Sequence, residues 1–318
     1  MIDLVRLERL RKKRWEKTLK RKRKIYLSLK KVCLQKRPWK RRRYRKSIAP
    51  EQFSFVDNTN DMLVFFETVE KNLDEKKPVN IDISHIITLT PDGIATLCAY
   101  IKKDKSGYIK GNAPIDKDLQ SRFIASGFYD YVHSFWTPPR GPENKLHHNR
   151  SLKKVDCNIA KEATLFAMSN NLDKDVKRSL YVILIELMAN TNNHADLQSE
   201  GLCDWWLYYY YDKNIKKTCF VFLDFGVGIF KSRNFKKYLG LMDKTTEEMA
   251  NDLLEGKIAS RTGLACRGKG FSCIIENADK TFFSKFIVVA NNAWIDIKSK
   301  QVKKLEKEFK GTFYYWEL

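Results

Sequence analysis

Residues 172–195 read LDKDVKRSLYVILIELMANTNNHA, and the apolar positions 172, 176, 180, 183 and 187 fall on one stripe of a helix. Continuing that stripe by three and seven residues leads to Asn190 and His194, so polar groups take over where apolar ones should follow. Glu186, Asn190 and His194 are spaced i, i+4, i+8, each about 6 Å further along the axis and about 40° round it. A carboxylate, an amide and an imidazole can then line one groove. On this helix alone two readings stand: a satisfied buried polar network, or a site.

Two later segments add to it. Residues 218–230 read TCFVFLDFGVGIF, a β-branched and aromatic strand that ends in Asp224 and is followed by Gly226 and Gly228. Its expected partner is the aromatic strand 204–211, across a turn at 212–217. Glycines at that spacing let a backbone bend tightly or approach a ligand. Residues 261–271 read RTGLACRGKGF, where Gly263, Gly268 and Gly270 lie beside Arg267 and Lys269 and open a helix over 271–276. Free N–H groups and cations at a helix start suit phosphate, and equally describe a plain basic loop.

Outward from these segments, charge is unevenly placed. The chain has 318 residues and a formal net charge of +22, yet residues 1–47 hold 22 Lys/Arg against 3 Asp/Glu. A basic arm therefore precedes a nearly neutral body. Trp15, Tyr26, Trp39 and Tyr44 are interleaved with its cations, which points to a nucleic acid partner through residues 1–47, with a solubilising tail and an anionic membrane surface as the other readings. The arm is expected to be helical or disordered. The 19 Phe, 14 Tyr and 7 Trp exclude a wholly disordered chain.

Seven scattered cysteines without a C-x-x-C pair argue against a zinc site or disulfide framework and fit a reducing compartment. No transmembrane segment or signal peptide is expected, which places the chain in the cytoplasm. Residues 134–154 carry three of the eight prolines and read as a linker, with His147 and His148 as solvent-exposed neighbours rather than metal ligands. Residues 48–133 alternate short strands with amphipathic helices: a helical stripe at 62, 65, 66, 69 and 73, a strand at 79–83, a helix at 93–101.

Within that unit VNIDISHIITLTPDGIATLCAYIKK resembles the central strand, loop and helix of STAS domains, with Gly93 matching the glycine that opens the helix. Where phosphorylated members carry serine this chain has Asp92, offered here as a helix N-cap. Over 155–318 the motifs together resemble the GHKL superfamily of ATP-binding domains, shared by histidine kinases, type II topoisomerases and heat-shock chaperones. ELMANTNNHA matches the first motif, DFGVGI the D-x-G-x-G motif, RGKGF the second glycine motif, and GTFYYWEL supplies a Gly-Thr pair.

That resemblance implies an α/β architecture: a basic helical arm over 1–47, a STAS-like α/β domain over 48–133, a linker over 134–154, and a GHKL α/β sandwich with a mixed sheet over 155–318. It implies ATP and Mg²⁺ as cofactors, with Asn190 as metal ligand and Glu186 as the catalytic group acting on water or a hydroxyl. Asp224 would accept from the adenine amino group with Thr312 assisting. Gly226 and Gly228 would admit the nucleotide, and Gly268, Lys269 and Gly270 would close on the phosphates, beneath a lid over 229–263. No histidine-bearing dimerisation helix pair is visible, which argues against a conventional sensor kinase, and a transducer domain after residue 318 is not expected. An ATPase and a kinase acting on a Ser/Thr of a protein partner remain the two activities, with a homodimer as a further expectation. The alternative is a nucleic-acid-binding regulator or defence protein for which ATP is a conformational ligand.

Overall fold

The computed structural model describes residues 43–104, 107–132, 145–150, 155–168, 173–194, 204–232, 244–257 and 269–318. Residues 1–42 of the basic arm lie outside these. Tyr44–Leu318 pack as one compact unit of mixed α/β structure with several sheets.

Strands β1 (Arg45–Ile48), β3 (Val79–Asp82) and β5 (Ile109–Gly111) form a parallel sheet in the order β1-β3-β5. The short strands β2 (Gln52–Phe53) and β4 (Thr88–Leu89) pair beside it. Helix α1 (Thr59–Asp74) buries Met62, Phe65, Phe66 and Val69, the stripe expected from its periodicity. Because Arg45–Ile48 pairs with β3, the end of the expected arm belongs to this sheet.

Helix α2 (Pro91–Lys103) starts with Pro at its first position, where a missing N–H costs nothing. Gly93 lies in its first turn, where a Cβ would collide with the carbonyl of Phe53, so the glycine allows α2 to sit directly on β2. Asp92 is not the N-cap; Thr90 holds that position. The Asp92 carboxylate instead turns inward and accepts from the N–H groups of Phe55 at 2.6 Å and Val56 at 3.0 Å and from the Ser54 hydroxyl at 3.3 Å. Three donors of the 54–56 turn outcompete the helix end for this acceptor, and burial pushes its carboxyl above the ordinary range. Helix α3 (Lys117–Ala125) is capped by Asp116 and is followed by a 3₁₀ turn at Phe128–Asp130.

The larger sheet is built from β6 (Lys145–Arg150), β7 (Asp204–Asp212), β8 (Lys217–Asp224), β9 (Lys285–Asp296) and β10 (Gln301–Glu317) in the order β6-β7-β8-β10-β9. It is antiparallel at every pairing rather than mixed as expected, because β7–β8 and β9–β10 are hairpins of successive strands, and β6–β7 and β8–β10 are antiparallel too. Residues 145–150 are thus an edge strand, not part of a linker. His147, expected to be exposed, is half-buried and its Nε2 lies 3.1 Å from the Tyr209 hydroxyl. The hairpin β7–β8 turns where sequence placed it, with Asp212 Oδ1 accepting from Asn214 N–H.

Both faces of this sheet are covered, which explains the unbroken run WWLYYYY of β7. Trp205, Leu207 and Tyr209 face one core, and Trp206, Tyr208 and Tyr210 face another. The first core is closed by helices α4 (Cys157–Met168), α5 (Lys174–His194), α6 (Thr246–Leu254) and α7 (Lys269–Ala278). The second is closed by α1 and α2, with Phe55 against Phe313 at 4.6 Å and Phe309 at 5.3 Å. The residues of 44–132 and of the large sheet therefore share one core. Helix α6 begins with a reciprocal Thr245–Glu248 capping box, the motif that sets its start. Among the described residues no helix is long and apolar enough to cross a membrane.

Candidate functional site

Helix α5 carries the centre of the site. Its buried line runs through Leu180, Ile183, Leu184, Leu187 and Met188 and ends on Thr191 rather than on Asn190. Glu186 and Asn190 are half-buried at the margin of that line, facing α7. The facing residue there is Gly270. A Cβ on it would stand 2.8 Å from Glu186 Oε2 and 2.9 Å from Asn190 Oδ1, so the carboxylate and the amide oxygen converge on the space that the glycine leaves open.

The next residue of α5 joins a second cluster. Thr191 Oγ1 donates to Asp224 Oδ2 at 3.2 Å, and the Gly226 N–H donates to Asp224 Oδ1 at 2.8 Å. Asp224 ends β8 and lies in register with Thr312 of β10 on one side and Trp205 of β7 on the other. Burial pushes its carboxyl up to about 6, against hydrogen bonds from Gly226, Thr191 and the Thr312 backbone that favour the ionised form.

Two glycines allow the strands around Asp224 to close. At Gly311 a Cβ would overlap the carbonyl of Asp224, and its φ of +149° belongs to glycine. Gly228, at φ +78°, packs against the side-chain amide of Asn291. That amide accepts from Phe230 N–H at 3.1 Å and donates to the Val227 carbonyl at 3.1 Å, so Asn291 pins the glycine loop from both sides.

Of the residues singled out in the sequence, Glu186, Asn190 and Gly270 come together, as do Asp224, Gly226 and Thr312. Gly228 shapes the adjoining loop. Gly268 lies outside the described residues, as do residues 233–243 and 258–263 of the expected lid. Lys269 begins α7, and His194 ends α5; their side chains lie outside the described set. Thr191 and Asn291 were not singled out. Thr191 was legible as the i+4 continuation from Leu187, whereas Asn291 has a signal only in three dimensions, at a break in the β9–β10 register.

Among the described residues there is no group of three or more His, Cys, Asp and Glu side chains that could hold a metal ion. A cation here would draw on one or two protein oxygens and on ligand oxygens, the mode in which Mg²⁺ binds beside phosphates. The oxygen pair at Gly270 fits that mode. No family model and no curated protein matches this chain.

Proposed function

We propose that the chain is a Mg²⁺-dependent ATP-binding protein of the GHKL type that hydrolyses ATP or phosphorylates a Ser/Thr of a protein partner. The observation that carries this reading is the meeting of two clusters at consecutive residues of α5: Asn190 with Glu186 and Gly270, and Thr191 with Asp224 and Gly226. A base pocket and a phosphate pocket need that proximity. The buried Asp224 carboxylate suits an exocyclic amine, which donates but does not accept. Thr312 lies beside it in register, and Gly226 and Gly228 keep the loop thin.

At the other cluster Asn190 Oδ1 would hold Mg²⁺, which when bound neutralises phosphate charge. Glu186 is placed to take a proton from water or a hydroxyl. Gly268, Lys269 and Gly270 would lie along the phosphates at the start of α7, where N–H groups are free. The test is turnover. Glu186→Ala retains nucleotide binding and loses phosphate release; persistent turnover would remove Glu186 from the catalytic role.

A second reading is favoured by the charge of residues 1–47, in which the protein is a nucleic-acid-binding regulator and ATP sets its conformation. It predicts DNA or RNA binding that falls steeply with salt and is lost on deletion. Because β1 begins at Arg45, the deletion should remove residues 1–42 and leave the small sheet intact. Unchanged, salt-insensitive binding by that variant would dismiss this reading.

A further inference from the structure

Phe225 sits between Asp224 and Gly226, and its ring is held by residues from the first part of the chain. The edge of Tyr100, on α2, meets it at 4.9 Å and 73°, and the Lys103 ammonium stands 4.6 Å from its centroid. Tyr100 is itself fixed by a parallel stack on Phe66 of α1, at 3.9 Å. On its other side Phe225 meets Phe309 of β10 at 6.0 Å.

The same ammonium donates to Glu70 Oε1 of α1 at 2.6 Å, and Glu70 Oε2 accepts from Lys310 Nζ at 3.2 Å. Lys310 directly precedes Gly311 and Thr312. One carboxylate therefore ties down both backbone segments that border Asp224: residue 225, which follows it in sequence, and residues 310–312, which lie beside it across the sheet. Glu70 is largely covered, with 17% of its side chain exposed, while Lys310 is open at 66%. Burial of Glu70 favours its neutral form, but the Lys103 and Lys310 charges outweigh this and hold its carboxyl below the ordinary range.

We propose that Glu70 and Lys103 are positioning residues for the Asp224–Gly228 loop, so that the α1–α2 layer sets how much of the protein is competent to bind nucleotide. The inference rests on the ATP-binding reading above for its ligand, though not for the loop itself. A mobile loop lowers apparent affinity in proportion to the fraction of time it is misplaced. The ammonium ends of both pairs are open to solvent, at 39% for Lys103 and 66% for Lys310, which limits what the pairs add to global stability.

The experiment compares the full chain with Glu70→Gln, Lys103→Ala and Lys103→Arg by two measurements: amide hydrogen exchange and equilibrium binding of ATP with Mg²⁺. In Glu70→Gln and Lys103→Ala, exchange at residues 225–228 becomes faster while β9 core amides keep wild-type rates. ATP affinity falls by about two- to thirtyfold, the range typical of coupling through packed networks. Lys103→Arg, which retains a cation over the ring, stays near wild type. Unchanged exchange in both disrupting variants overturns the proposal, and so does faster exchange with unchanged affinity. If the wild type binds no ATP, the nucleotide reading fails, and exchange alone decides whether the two residues position the loop.

Discussion

Glu186 Oε2 lies 2.8 Å from the point where a Cβ on Gly270 would stand, and Asn190 Oδ1 lies 2.9 Å from the same point. A Gly270→Ala substitution therefore meets the free ends of two side chains rather than backbone. Those ends can swing away, and alanine in a helix gains up to about 1 kcal/mol over glycine. The expected outcome is a fold as stable as wild type within about 1 kcal/mol but with ATP affinity reduced about tenfold or more, because both oxygens are displaced. Denaturant midpoints and a binding titration on one preparation check it. Wild-type affinity in this variant would separate Gly270 from the site.

Asp224 gives a pH dependence of stated sign. Its carboxyl titrates at about 6 in the folded chain, with burial as the main cause, and near 3.9 when unfolded. Between about pH 4 and 6 the folded state holds more protons, so this group stabilises fully below that window and the contribution is lost as pH rises through it. The total is about 3 kcal/mol, from roughly two pK units at 1.4 kcal/mol each. Asp224→Asn should lack this slope, measured as the difference between the two stability profiles from pH 4 to 7. Parallel profiles would contradict the buried, proton-binding carboxyl. A ligand amine recruits the ionised form, so ATP binding should strengthen as pH rises through 6.

Asp92 offers a test in the other half of the chain. As a simple N-cap its loss would cost about 1 kcal/mol. Here Asp92→Ala strands the two buried N–H groups of Phe55 and Val56 in the turn that seats Phe55 on Phe309 and Phe313, while the Ser54 hydroxyl keeps Asp57 Oδ2 as its acceptor at 3.1 Å. The expected cost is about 3 kcal/mol or more, at 1–3 kcal/mol for each unpaired buried donor. A loss of only about 1 kcal/mol by urea unfolding would return Asp92 to the capping role.

Much of this arrangement was legible because local rules and global packing agree. The α5 stripe, the α1 stripe and the β7–β8 hairpin each follow from a period or a turn signal in a short window. Glu186, Asn190 and Asp224 stood out because polar groups interrupted apolar patterns. What escaped reading depends on distant partners. Asp92 looked like a cap because its donors in residues 54–56 lie far away in sequence. Lys145–Arg150 looked like a linker because a polar edge strand following a proline cluster carries little strand signal until Trp205–Tyr209 pair with it. Asn291 acts through φ +55° and a register break, neither of which a sequence window contains.

The most direct measurement is equilibrium binding of ATP to the full chain with and without Mg²⁺, for wild type and for Asn190→Ala. The account predicts Mg²⁺-dependent binding by the wild type that is abolished in Asn190→Ala. No binding by the wild type, or equal affinity in the two proteins, would contradict it.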